Sequence, residues 1–203
     1  MNDYQLEQWD ALAQLENAMT CFSSEQKDRI LEEISPYFEF RRQVDRFSKI
    51  HFASLCTSAC FQNKRSACCS KDGIITFWAD TVVNACISSS KQMTRLREAI
   101  KNPFFADKCI YLSPGGCLWA VRPLVCAMFV CDRIQNEVFS ANPADAEHWK
   151  ALNARAKSFR WPDRPVLFDS LERQFIDMGC DSSLMYLNKS PGLLRVKQKA
   201  WRI

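Results

Sequence analysis

Apolar positions recur at spacings of three and four along the first part of the chain, the period of an amphipathic helix. Leu6, Trp9, Leu12, Leu15 and Met19 predict a helix over residues 4–20. Ser23-x-x-Gln26 has the spacing of a capping box, in which each side chain satisfies the other residue's free backbone N–H. It opens a second helix that carries Ile30, Leu31 and Ile34, meets Pro36 and resumes through Val44 and Phe47. Residues 52–75 have a weak period and read as a short helix plus loop. Val82, Val83, Cys86, Met93, Leu96 and Ile100 form the apolar face of a third helix over 77–101. Asn102-Pro103 stops it, because the residue before proline is driven out of helical geometry.

Ser113-Pro114-Gly115-Gly116 predicts a turn. Asn142-Pro143 combines an N-cap with proline at the first helical position, opening a helix through Trp149 and Leu152 toward Phe159. Asp163 to Met178 predicts a further helix, with Gly179 as its C-terminal cap. Strand-like alternation is scarce. The expected class is mainly α: a helical domain whose irregular cysteine-bearing loops form a metal-binding centre. One domain spans 1–203 in this reading, with N-terminal helices at 1–50, a cysteine-cluster core at 51–131, and C-terminal helices and a basic tail at 132–203.

Composition narrows the function. With 47% hydrophobic and 12% aromatic residues, the 203-residue chain can bury a core. A net charge of +4 is too slight to imply nucleic-acid binding. The 5 glycines include no G-x-G-x-x-G or G-x-x-x-x-G-K-[ST] pattern, which argues against dinucleotide and P-loop sites. The N-terminus is polar and acidic, unlike a secretory signal. The most apolar stretch, Leu118 to Cys131, is interrupted by Arg122-Pro123 and falls short of the about 20 apolar residues that a membrane span needs. The expected compartment is therefore the cytoplasm, where clustered thiols bind metal or do redox work more often than they form structural disulfides.

Cysteine is the anomaly. Nine of the 11 cysteines lie between Cys56 and Cys131. They read Cys56-x3-Cys60-x7-Cys68-Cys69, then 39 residues including Cys86, then Cys109-x7-Cys117-x8-Cys126-x4-Cys131. A helix over 56–60 would put Cys56 and Cys60 on one face. The intervening 39 residues are long enough for a helical hairpin that returns the second group against the first. Adjacent side chains diverge, so Cys68 and Cys69 either serve different metals or divide between ligation and packing. With His51 and His148 as the only histidines, ligation is mainly by thiolate, which selects zinc or an iron–sulfur cluster. The absence of C-x2-C knuckles favours the cluster over a zinc ribbon. Cys21, Cys86 and Cys180 sit in or beside amphipathic helices and read as core.

Cys56-Thr-Ser-Ala-Cys60 through Ala67-Cys68-Cys69 resembles the CxxCxxCC opening of the YkgJ-type cysteine-cluster proteins. The second stretch, Cys109-Ile-Tyr-Leu-Ser-Pro-Gly-Gly-Cys117-Leu-Trp-Ala-Val-Arg122-Pro123-Leu-Val-Cys126, is similar to that family's segment ending in R-P-x-x-C. The resemblance implies a zinc- or iron-chelating centre and, through relatives such as flagellin lysine methylases, a link to methyl transfer. This chain has x3 in place of the first x2, Ala67 for glycine, Trp119 and Ala120 for the family's aliphatic and tyrosine, and Ala127 for arginine. Beside the ligands, Arg122 would offset the negative charge of a thiolate centre, and Tyr111 would donate to sulfur while packing in the core.

Three functions compete. The first is a cysteine-cluster metalloprotein for redox, sensing or metal handling, its cofactor an iron–sulfur cluster or zinc. The second is a methyltransferase-like modifying enzyme using that centre, with no nucleotide loop in its favour. The third is a metal-stabilised interaction module docking an unknown protein partner through Lys189, Arg195, Lys197, Lys199 and Arg202, interleaved with Leu193, Leu194, Val196 and Trp201. That basic run also reads as a solvated face. A Cys–His nucleophilic enzyme is the weakest case.

Overall fold

The computed structural model describes residues 1–63, 67–69, 75–160 and 166–189. Helix α1 covers Asp3–Cys21 and α2 covers Ser24–His51. The Ser23 capping box forms, with the Gln26 amide donating to the serine Oγ at 3.2 Å and Gln26 Oε1 accepting from the Ser23 amide at 2.8 Å. Pro36 does not interrupt α2. It removes one N–H from the helical ladder, and the burial of Ile34, Tyr37 and Phe40 on either side of it outweighs that loss.

After α2 come a short α3 (Ala53–Cys56), a π-helical turn over Thr57–Phe61 and a 3-10 turn over Ala67–Cys69. The single helix expected over 77–101 is two: α4 (Trp78–Ile87) and α5 (Ser90–Lys101). Ser88 is extended, and Ser89 with Gln92 makes a second capping box, its two backbone–side-chain bonds at 2.8 and 3.3 Å. The Ser88-Ser89-Ser90 run favours that break, because a serine hydroxyl offers the backbone an alternative to the helical ladder.

Next is a two-strand antiparallel hairpin, β1 (Leu112–Ser113) and β2 (Gly116–Cys117), paired Leu112 to Cys117 and Ser113 to Gly116. Gly116 has φ +108°, which only glycine adopts cheaply. Helices α6 (Leu124–Met128) and α7 (Asp132–Ile134) lead into a π-turn over Gln135–Phe139. Helix α8 (Pro143–Ala156) starts under the Asn142 cap, α9 covers Leu167–Asp177, and α10 covers Tyr186–Lys189. Gly179 has φ +87° just past α9, as a C-terminal cap requires. Asp163 and the basic tail beyond Lys189 lie outside the described residues.

Two apolar cores organise the molecule. The larger joins Tyr37, Phe40 and Val44 of α2 to Trp78 and Val83 of α4 and to Phe168 and Phe175 of α9. The smaller joins Leu12 of α1 and Leu96 and Ile100 of α5 to Ile110, Tyr111, Leu112 and Trp119 around the hairpin. Both abut the cysteine-bearing segments. The mainly helical class holds, and among the described residues no helix is long and apolar enough to cross a membrane.

Candidate metal centre

The eight candidate ligands come from four stretches of chain. Cys56 ends α3, and Cys60 lies in the π-turn that follows. The expected i, i+4 helical pair is therefore replaced by a wider turn, a distortion found frequently at functional sites. Cys68 and Cys69 sit on the 3-10 turn. Cys109 and Cys117 flank and end the hairpin, Cys126 lies in α6, and Cys131 precedes α7.

One backbone bond ties the halves together. The Cys109 N–H donates to the Cys69 carbonyl at 2.9 Å, so α4 and α5 return the second group against the first. Cys69 and Cys109 share the smaller core, whereas Cys131 packs against the larger one. Cys109 is buried; Cys60, Cys69, Cys126 and Cys131 are half-buried; Cys56, Cys68 and Cys117 face solvent.

The thiols also act on one another electrostatically. Burial raises Cys56, and the neighbouring Cys68, Cys131 and Cys60 add to that while Arg122 opposes it. Cys68 is lowered, first by a hydrogen bond from Cys69 and then, against desolvation, by its own backbone amide and Arg122. Cys69 is raised by that same bond. Burial pushes Cys109 up to about 12 and Cys126 up to about 11, each with the Cys117 thiol adding to the shift. Desolvation raises Cys117, against the Trp119 backbone amide and Arg122. Cys68 and Cys69 therefore meet through their sulfurs rather than diverge; Cys69 also acts on Cys109 and Cys117, and Cys68 on Cys56, Cys117 and Cys126.

Arg122 lies where its charge favours four of these thiolates. Its guanidinium is half-exposed and also reaches Asp45 at 3.4 Å. Tyr111 packs in the smaller core. Its hydroxyl donates to Gln8 Oε1 at 2.9 Å, and its ring meets Trp119 edge-on at 4.9 Å. What it gives to sulfur is its backbone N–H, 3.4 Å from Cys109 Sγ. Cys109 and Cys117 act on the Tyr111 phenol, and a second buried tyrosine near the thiols is Tyr4, whose hydroxyl lies beside Thr76. Burial raises Tyr4 well above the ordinary phenol range, and Cys109 and Cys126 contribute. Trp119 Nε1 is buried without a hydrogen-bond partner among the described residues.

Three further side chains escaped the sequence reading, two because α4 looks apolar and one because α2 is so rich in charge that a buried arginine does not stand out. Arg41 of α2 and Asp80 and Asn84 of α4 are buried and hold the backbone between Cys117 and Cys126. For Asp80 and Asn84 the signal was a polar residue inside an otherwise apolar run, such as Val82-Val83-Asn84-Ala85.

The remaining cysteines divide. Cys86 and Cys180 pack half-buried against the larger core, as expected. Cys21 does not: it is exposed at the end of α1, because α1 runs past its last core-facing turn. His51 is held by Asp145 at 2.8 Å and stacks on Phe47 at 4.3 Å, which places it in a packing role.

The donor chemistry fits a thiophilic metal or cluster: sulfur ligands and a nearby guanidinium. Among the described residues no three donors form a closed ligand sphere, so a metal would have to draw the sulfurs together. The pieces best able to move are α3 and the π-turn, in which no residue is buried. No protein-family model matches this chain, and comparison with curated proteins and with solved structures returns no match.

Proposed function

We propose that this protein is a cytoplasmic cysteine-cluster metalloprotein. Cys56, Cys60, Cys68, Cys69, Cys109, Cys117, Cys126 and Cys131 are its ligand set, and its role is redox, sensing or metal handling. The observation that carries this reading is the convergence of thiols from four separate segments, joined across the Cys109–Cys69 backbone bond. Eight thiols gathered without a disulfide among them are hard to explain as ordinary core residues, since three are exposed.

An iron–sulfur cluster is favoured over zinc. An all-thiolate donor set without C-x2-C knuckles supports a cluster over a zinc ribbon. The resemblance of the Cys109–Cys126 segment to YkgJ-type proteins agrees with either metal. A bound cluster would supply a one-electron centre. The chain's own residues hold the sulfurs, place Arg122 beside them and shield Cys109 from water.

The test is anaerobic isolation followed by iron, zinc and acid-labile sulfide analysis with visible absorption. Iron with matching sulfide and a brown chromophore is expected. Zinc without sulfide would keep the centre and exclude the cluster. A folded, colourless, metal-free protein would overturn the proposal.

A further inference from the structure

The segment Val121–Leu124 lies between Cys117 and Cys126, and its backbone is held almost entirely by side chains. Asn84 Nδ2 donates to the Val121 carbonyl at 2.7 Å, while the Val121 N–H donates back to Asn84 Oδ1 at 2.9 Å. Arg41 Nη1 donates to the Arg122 carbonyl at 2.6 Å. The Leu124 N–H donates to Asp80 Oδ1 at 3.0 Å, and the other oxygen of that carboxylate accepts from Phe77 at 3.1 Å. Pro123 has no N–H to satisfy. Relative exposure is 1% for Arg41, 2% for Asp80 and 1% for Asn84.

Building on the metal-centre reading, we propose that Arg41, Asp80 and Asn84 are positioning residues that set the separation of Cys117 and Cys126. Surface loops ordinarily leave their backbone to water. This one is gripped from behind by two core helices, and the grip ends at Leu124, the first residue of α6 and two residues before Cys126. Neither anchoring helix needs these bonds to form. Asn84 Nδ2 reaches the Asp80 carbonyl of its own helix at 3.0 Å and the loop in addition.

Arg41 argues the same way. Among the described residues its Nε and Nη2 have no hydrogen-bond partner, and a buried, half-satisfied cation costs stability that an apolar residue would not, a cost that the nearby Asp80 carboxylate reduces. What it secures is one fixed carbonyl beside the thiols, together with a bond to the Tyr37 hydroxyl at 3.0 Å. The clamp therefore fixes the loop's position, beyond whatever it adds to the fold's stability.

The test titrates cobalt(II) into the reduced, metal-free full chain and follows the thiolate-to-cobalt absorption. Asn84→Ala is expected to lower cobalt affinity ~10–100-fold, the range for outer-shell partners of metal ligands. Asn84→Asp retains the acceptor for Val121 N–H, loses the donor to its carbonyl, and should fall between. Val83→Ala, one residue away in the same helix and pointing into the larger core, should lower the melting temperature while keeping wild-type affinity. Wild-type affinity in Asn84→Ala, or an equal loss in Val83→Ala, overturns the clamp. Should Asn84→Ala fail to fold, Arg41→Lys, which keeps the charge and shortens the reach to the Arg122 carbonyl, carries the same expectation and the same refutation. If the wild-type chain itself takes up no cobalt, the metal-centre reading falls first and the clamp with it.

Discussion

The two cysteine-bearing regions are built to different standards. From Ala53 to Phe61 the chain forms a four-residue helix and a π-turn in which no residue is buried. Phe61 is 44% exposed. From Cys109 to Met128 the chain is a hairpin and a short helix backed by a core. Tyr111, Leu112, Trp119 and Leu124 are all buried, and Arg41, Asp80 and Asn84 grip the connecting loop. Each region carries four thiols when Cys68 and Cys69 are counted with the first and Cys131 with the second. In the proposed centre, the difference gives a fixed half that sets geometry and a movable half that closes on it. Such a division fits a site whose sulfurs form no closed ligand sphere among the described residues.

The widest gap between the regions should be in stability. Trp119→Ala removes a buried indole packed edge-on against Tyr111 and should cost ~3–5 kcal/mol in urea unfolding. Phe61→Ala, at an exposed position, should stay within ~0.5 kcal/mol of wild type. Equal effects would erase the comparison.

Asp80→Ala comes next. It strands two buried amides, those of Phe77 and Leu124, and each orphaned donor costs roughly 1–3 kcal/mol. Hydrogen exchange at Leu124 should accelerate in Asp80→Ala, while exchange at Gln62, whose amide bonds within the π-turn, should be unmoved.

A pH series separates thiol effects from those of buried carboxylates. Glu172 is fully buried in α9, and burial pushes its carboxyl up to about 8, against the Leu187 and Tyr186 amides that favour the anion. A raised folded-state pKa means that the native state binds more protons than the unfolded one between the two values. Stability should therefore fall from about pH 4.5 to about pH 8, at up to about 1.4 kcal/mol per pH unit. Glu172→Gln should flatten that slope in thermal melts. An unchanged slope would assign it elsewhere.

The smallest expected effect is at Arg122. Its ion pair with Asp45 is half-exposed, so Arg122→Met should change stability by under ~1 kcal/mol. The same change should slow iodoacetamide alkylation of Cys56 and Cys68, whose thiolates Arg122 favours. Unchanged alkylation rates would place Arg122 outside the centre.

Much of the helical order is legible in the sequence, because periodicity and caps are local. Ser23-x-x-Gln26, Asn142-Pro143 and Gly179 each act where the residues say. The break at Ser88 is equally local, and its Ser89-x-x-Gln92 box went unread beneath an apolar stripe. Pro36 misleads in the other direction, since tertiary burial overrides a helix breaker. The ligand set is legible as a composition. Its geometry is not, because the Cys109–Cys69 bond and the Asn84–Val121 pair join residues distant in sequence.

The most direct measurement is cysteine-resolved alkylation of the anaerobically isolated chain, read by mass spectrometry before and after chelation. One metal centre built from both regions predicts protection at all eight candidate thiols, including exposed Cys56, Cys68 and Cys117, and release by the chelator. Exposed Cys21 should react throughout. Folded protein in which Cys56, Cys68 and Cys117 react as readily as Cys21, with or without chelator, would contradict the account.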